Sequence, residues 1–164
     1  MDDGILIRKA EMADWEETMA MTWKTFMKFE AADYGVEGVD NFRNFIADPM
    51  LRRMFLLGTY HMFVATHFGK IIGMVSLRDK NHISLLFVDE AYHRKGIGRR
   101  LIDTIGAFSK EEYGKEEITV NAAPYGFGFY RKVGFYSTSP LLTNGGIKYT
   151  SMKKEIGEKD GKII

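Results

Sequence analysis

The stretch "YHRKGIGRRL", Tyr92 to Leu101, follows the apolar run "ISLLFV", Ile83 to Val88, and sets Gly96 and Gly98 among Arg94, Lys95, Arg99 and Arg100. A strand turning into a helix here presents unpaired N–H groups and the positive end of a helix dipole, which suit phosphate. Glycines let the backbone approach a ligand with no Cβ in the way, and basic side chains add charge-assisted contacts. A lone G-x-G is more often an ordinary turn with solvated basic residues. Spacing removes two phosphate-binding alternatives. A dinucleotide fingerprint requires glycine or alanine three residues after Gly98, where Leu101 stands. The G-x-x-x-x-G-K-S/T pattern of a P-loop is absent.

A second stretch lies further along, "VNAAPYGFGFYRKVGF", Val120 to Phe135. With it the first segment takes on meaning: "LLFVDEAYHRKGIGRRLI" resembles the acyl-coenzyme A loop of the GNAT superfamily of N-acetyltransferases. That loop carries Gln or Arg, two free positions, Gly, one free position, then Gly or Ala. Gly96 and Gly98 match, and His93 stands where the family has Gln or Arg. The second segment resembles the family's N-x-x-P-Y…F-Y-x-x-x-G-F element at Asn121, Pro124, Tyr125, Phe129, Tyr130, Gly134 and Phe135. The two motifs stand in the family's order and span Leu85 to Phe135. The N-terminal third resembles the family only in layout, and acceptor specificity usually resides there.

The resemblance implies acetyl-CoA as co-substrate, with no metal. Parallel strands splay beside the crossover, and the backbone of Phe87 and Val88 pairs with the pantetheine arm as an added strand does. The pyrophosphate sits on the N–H groups of Arg94, Lys95, Gly96, Ile97, Gly98 and Arg99. His93 opens the loop, and Asn121, Tyr125 and Tyr130 complete the cofactor side. Attack of an amine on a thioester needs a neutral nitrogen, support for an oxyanion and a proton for the departing sulfur. Tyr130 matches the family's general acid, since a phenol with a reference pKa of about 10 keeps its proton at neutral pH. The expected function is N-acetylation of a primary amine on a small molecule or a peptide or protein N-terminus. The alternative is an acyl-CoA-binding regulatory module without transfer.

No base is assigned. Asp89, Glu90 and His82 flank the apolar run, and His61 and His67 lie in strand-like segments without metal-ligand spacing. Glu30, Asp33 and Glu37 could attract a cationic amine, or cap a solvated connection. The acceptor pocket is expected between the first two helices and the final hairpin.

These residues need elements to hold them. "ILIRKA", Ile5 to Ala10, reads as a strand, and Asp14 with Glu17 as a capping box opening a helix striped by Trp15, Met19, Thr22, Trp23 and Phe26. A loop leads to a short helix around Val39 to Ala47 with Phe42, Phe45 and Ile46 inward, and "MLRRMFLL" stays open between helix and strand. "HMFVATHF" and "KIIGMVSLR" alternate with period two and pair as a hairpin joined at Gly69-Lys70. "HISLLFV", apolar on consecutive positions, suits a central strand covered on both faces. A helix with Leu101, Ile102, Ile105 and Phe108 inward, the strand "EEITVNA", a helix from Pro124 to Val133 capped by Gly134, and a hairpin turning at Asn144-Gly145-Gly146 complete the chain. The expected class is α/β with a mixed sheet: an antiparallel meander plus a parallel β-α-β crossover, helices on both faces.

At 164 residues one domain is expected, 1–156, with 157–164 as a frayed tail. The net charge of +1 implies no nucleic-acid partner. Lack of cysteine excludes disulfide scaffolds and thiolate chemistry and fits a reducing compartment. The acidic start "MDDG" lacks a signal-peptide pattern, and no apolar run approaches the roughly 18–20 residues of a membrane-spanning helix. A cytoplasmic protein without membrane partners is expected, and the resemblance leaves a homodimer open.

Overall fold

A computed structural model describes residues 3–157; beyond Gly157 the expected frayed tail lies outside the described residues. The seven strands of the described residues are β1 (Ile5–Lys9), β2 (His61–His67), β3 (Lys70–Arg78), β4 (His82–Val88), β5 (Glu117–Ala122), β6 (Tyr136–Asn144) and β7 (Ile147–Glu155). They form one sheet in the order β1-β2-β3-β4-β5-β7-β6. Every neighbouring pair is antiparallel except β4 and β5. Helices α1 (Trp15–Phe29), α2 (Gly35–Ala47) and α3 (Pro49–Leu56) cover one face. The crossover helix α4 (Ile97–Tyr113) and the short α5 (Phe127–Lys132) pack with the other.

Two cores result. Ile72, Val75, Leu77 and Ile83 meet Leu101, Ile102 and Ile105 of α4. Phe26, Phe42, Met62, Met74, Leu85 and Phe87 fill the α1–α2 side, where the Phe26 and Phe42 rings stack at 3.9 Å. Burying such side chains is worth about 1.5–3 kcal/mol each, which is what holds the helices on the sheet.

Several local expectations change. Asp14 does not cap α1 through its side chain. Its carboxylate accepts from the backbone N–H of Glu11 at 2.7 Å and from Arg8 at 2.8 and 3.0 Å, closing a short 3-10 turn. Glu17, the expected partner, accepts instead from the Ile71 N–H at 3.0 Å, a strand donor more than fifty residues away. Helix α2 starts earlier than Val39, and Phe45 is exposed while Phe42 and Ile46 are buried. "MLRRMFLL" is helical, because Asp48 accepts from the Met50 N–H at 2.9 Å and Pro49 sits in the first turn.

The feature that makes the site is a β-bulge. Ser76 pairs with Leu85 and Leu77 with Ile83, so Ser84 is the extra residue of β4. Alternation restarts there: Ile83 faces the α4 core, whereas Leu85 and Phe87 face the α1–α2 core. The buried Tyr60 hydroxyl bonds Ser76 Oγ at 2.7 Å and donates to Ser84 Oγ at 2.9 Å, which pins the bulge. Parallel pairing of β4 with β5 stops at the same place, after His82 with Thr119 and Ile83 with Val120. From Ser84 onward β4 follows β3 and diverges from β5.

Candidate active site

The gap between β4 and β5 exposes backbone. The Asp89 N–H donates to the Ile72 carbonyl at 2.8 Å, so alternation turns the polar groups of Phe87 toward β3. Those of Leu86 and Val88 face the gap. Phe87 contributes a buried side chain, and the backbone able to pair with a ligand belongs to Val88 and Leu86. The Val88 carbonyl accepts from His93 Nε2–H at 2.7 Å, which fixes that tautomer.

The loop after β4 turns by local bonds. Asp89 Oδ1 accepts from the Ala91 N–H at 3.1 Å, and Arg94 and Gly96 adopt φ of +63° and +79°. Gly96 meets nothing within 4 Å of a notional Cβ, so its backbone conformation is what the turn requires of it. Ile97 then anchors α4 in the core at 1% exposure. The N–H groups of Ile97, Gly98 and Arg99 have no partner within the helix, and Arg94, Lys95 and Arg99 are exposed around them. Arg100 is committed elsewhere, reaching Asp3 and the Ile5 carbonyl at 3.3 Å each. Gly98 has a second role: a Cβ there would stand 2.9 Å from the Phe129 ring, so this glycine lets the two motifs pack together.

The second motif lines the other side. Asn121 Oδ1 accepts from Ser151 Oγ at 3.2 Å. Tyr125 is half exposed and stacks on Phe29 at 5.1 Å, while Phe29 also meets the His93 ring at 5.0 Å. Helix α1 therefore ends over both motifs, and an exposed Lys28–Glu90 ion pair at 3.4 Å lies beside that contact. Tyr130 is 8% exposed and packs in the α4-side core. Burial pushes its phenol well above the ordinary value, and the charge of Glu30 and the Tyr34 phenol push it the same way. Glu30 and Tyr34 come from the α1–α2 side, so Tyr130 sits where the two faces communicate through the gap.

The acidic residues of the first connection separate in kind. Asp33 and Glu37 are exposed, whereas Glu30 is partly enclosed and accepts from the Tyr34 hydroxyl at 3.4 Å. Burial pushes the Glu30 carboxyl up to about 7, Asp33 adds to that, and the Tyr34 bond opposes it. Its position was legible: Glu30 follows Phe26 by four and Trp23 by seven, which carries a carboxylate onto the apolar stripe of α1. The wall above is the β6–β7 turn. Asn41 Nδ2 donates to the Gly145 carbonyl at 2.7 Å, and Gly38 lies against the Gly146 backbone.

The other three histidines are engaged outside the gap. His61 bonds the Tyr113 hydroxyl at 2.6 Å, His67 that of Tyr92 at 2.7 Å, and His82 the Thr119 hydroxyl at 2.7 Å. Among the described residues no group of histidine, aspartate or glutamate is arranged to hold a metal ion, and no helix is long and apolar enough to cross a membrane.

A mixed sheet opened at its one parallel pair, with a helix N-terminus beside the opening and a tyrosine beneath it, defines the class: an acyltransferase fold. Residues 30–156 match the family model described as acetyltransferase (GNAT) domain. The chain belongs to the GNAT family of acetyltransferases. Solved structures repeat the architecture. A GCN5-related N-acetyltransferase from Rhodopseudomonas palustris is 24% identical with a TM-score of 0.79, over 92% of this chain and 94% of that one. PaiA N-acetyltransferase from Thermoplasma acidophilum, in complex with coenzyme A, is 22% identical with a TM-score of 0.76, over 94% and 99%. A spermidine N-acetyltransferase chimera of Vibrio cholerae SpeG and hSSAT is 16% identical with a TM-score of 0.66, over 97% and 99%. At these identities the likeness is one of fold.

Proposed function

We propose that this protein transfers an acetyl group from acetyl-CoA to a primary amine of a small molecule or a peptide. What supports the reading most is the sheet opened at its one parallel pair beside the unpaired start of α4, with the buried Tyr130 within the field of Glu30 and Tyr34. The open backbone of Val88 and Leu86 suits the amides of a pantetheine arm, and a pantetheine N–H would take over the carbonyl that His93 holds. The free N–H groups of α4, with Arg94, Lys95 and Arg99, suit the pyrophosphate. The thioester carbonyl then lies near Tyr130, whose phenol keeps its proton until sulfur departs. PaiA, solved with coenzyme A, and the spermidine acetyltransferase chimera accord with this cofactor and with an amine acceptor.

The test is release of CoA thiol from acetyl-CoA across a panel of amines, read with a thiol reagent against a protein that has no cysteine. Tyr130→Phe is expected to keep acetyl-CoA affinity and lose roughly 10²–10⁴-fold in turnover. Unchanged turnover removes Tyr130 from its role. Cofactor binding without thiol release from any amine favours an acyl-CoA-binding module instead.

A further inference from the structure

The acceptor nitrogen must shed a proton before it attacks, and neither motif supplies a group to take it. The end of α1 does. Glu30 lies one residue beyond Phe29, which packs against the rings of His93 and Tyr125, and an exposed Lys28–Glu90 pair spans from the same turn to the cofactor loop. The Tyr34 hydroxyl, itself buried and packed against Phe26 at 5.1 Å, donates to Glu30 Oε1. Among the described residues no lysine, arginine or histidine forms an ion pair with Glu30. A partly enclosed carboxylate without a cation, beside the gap and within electrostatic reach of Tyr130, is a vacancy for positive charge.

We propose that Glu30 receives the cationic nitrogen of the acceptor and takes its proton, with Tyr34 as the positioning residue that aims the carboxylate. This rests on the transferase reading above and narrows its acceptor to alkylammonium compounds with no anionic group beside the reacting nitrogen. The groups facing Glu30 are Asp33 from the turn after α1, Tyr34 at the start of α2 and Tyr130 of α5. None of them neutralises it, and with its carboxyl pushed up to about 7 it is poised to exchange a proton near neutrality.

The protons balance. The ammonium gives one proton to the Glu30 carboxylate and becomes a neutral amine. Its nitrogen forms the C–N bond to the acetyl carbon, the C–S bond breaks, and the departing thiolate takes the Tyr130 proton. The remaining surplus proton on the new amide nitrogen returns to the Tyr130 oxygen, and Glu30 loses its own to solvent. The two groups are coupled. Burial does most to hold the Tyr130 phenol high and Glu30's charge adds to it, so protonating Glu30 removes that added part and strengthens the acid when sulfur needs it.

The experiment uses the full chain with acetyl-CoA and four probes: n-butylamine, 1,4-diaminobutane, phenethylamine and a glycyl peptide amide. Failure of the wild type to release thiol with all four sinks the transferase reading itself. With an active probe, kcat/KM of the wild type rises with pH through a limb near 7, set by Glu30. Glu30→Gln is expected to lose about 100-fold or more and to lose that limb, with acetyl-CoA affinity by calorimetry unchanged. Tyr34→Phe removes a bond to the ionised carboxylate and moves the limb to higher pH. Methoxyamine, weakly basic and unprotonated at neutral pH, bypasses the base, so Glu30→Gln loses less than about tenfold with it. Where the wild type does not accept methoxyamine, the pH profiles alone decide. Equal losses with both nucleophiles, or a limb near 7 that survives in Glu30→Gln, overturn the role of Glu30 while leaving acetyl transfer intact.

Discussion

Replacing Glu30 by glutamine should make the protein more stable above neutral pH, and the size of the effect follows from its surroundings. The carboxyl rises from an ordinary 4.5 to about 7, chiefly because burial penalises its ionised form. The native state therefore holds this proton to higher pH than the unfolded chain does. The group costs nothing below about pH 4.5, and the cost to the native state grows as pH rises through about 7 and then levels off. At about 1.4 kcal/mol per pH unit the ceiling is about 3 kcal/mol. Glutamine keeps an oxygen to accept from Tyr34 and has no charge to bury. For a chain of this length the ceiling corresponds to a rise in Tm of roughly 6–12 °C at pH 8, and little at pH 4.5. Calorimetric or circular-dichroism melts of both proteins between pH 4.5 and 8 check it. A difference in Tm that does not widen with pH refutes the reasoning. The wild-type curve alone hides the effect, because His82 acts in the opposite sense over nearly the same span.

His82 is held neutral, its pKa pushed down to about 4 by burial with help from Arg78. The stability it contributes is present above about 6.5 and is lost as pH falls through about 4, so His82→Gln should flatten that acid limb in thermal melts. Gly38→Ala would drive a Cβ into the Gly146 carbonyl oxygen and to 2.8 Å from Tyr34 Cβ. It should cost about 1–3 kcal/mol and raise KM for the amine, and steady-state kinetics with both substrates varied would show acetyl-CoA binding unchanged. Gly96→Ala meets no neighbour but must hold φ near +79°. It should cost about 1–2 kcal/mol, read in calorimetry as weaker acetyl-CoA binding or in melts as a lower Tm.

Much of the site was legible because its parts are local. The turn at Gly96, the unpaired start of α4 and the packing of Tyr130 beside Phe129 and Phe135 depend on residues close in sequence, and the two motifs announce them. The capping of α1 was misplaced for the converse reason. Asp14 and Glu17 fit a local box, but Arg8 and the Ile71 N–H were stronger partners and neither is visible at capping distance. Phe45 fits the α2 stripe by period yet stays exposed, because what covers that helix is set by the sheet and the β6–β7 turn.

By itself the sequence determined most of the order of elements and the two motifs that mark the family, since each rests on period, turn chemistry and motif spacing. Only the tertiary structure decided where the sheet opens. "ISLLFV" reads as one buried strand, but its consecutive apolar residues serve two different cores because Ser84 is inserted at a bulge tied to Tyr60 and Ser76. That bulge ends the pairing with β5, frees the backbone of Leu86 and Val88, and lets the electrostatics of Glu30 on one face reach Tyr130 on the other. Register is a property of two strands together, so no single stretch of sequence carries it.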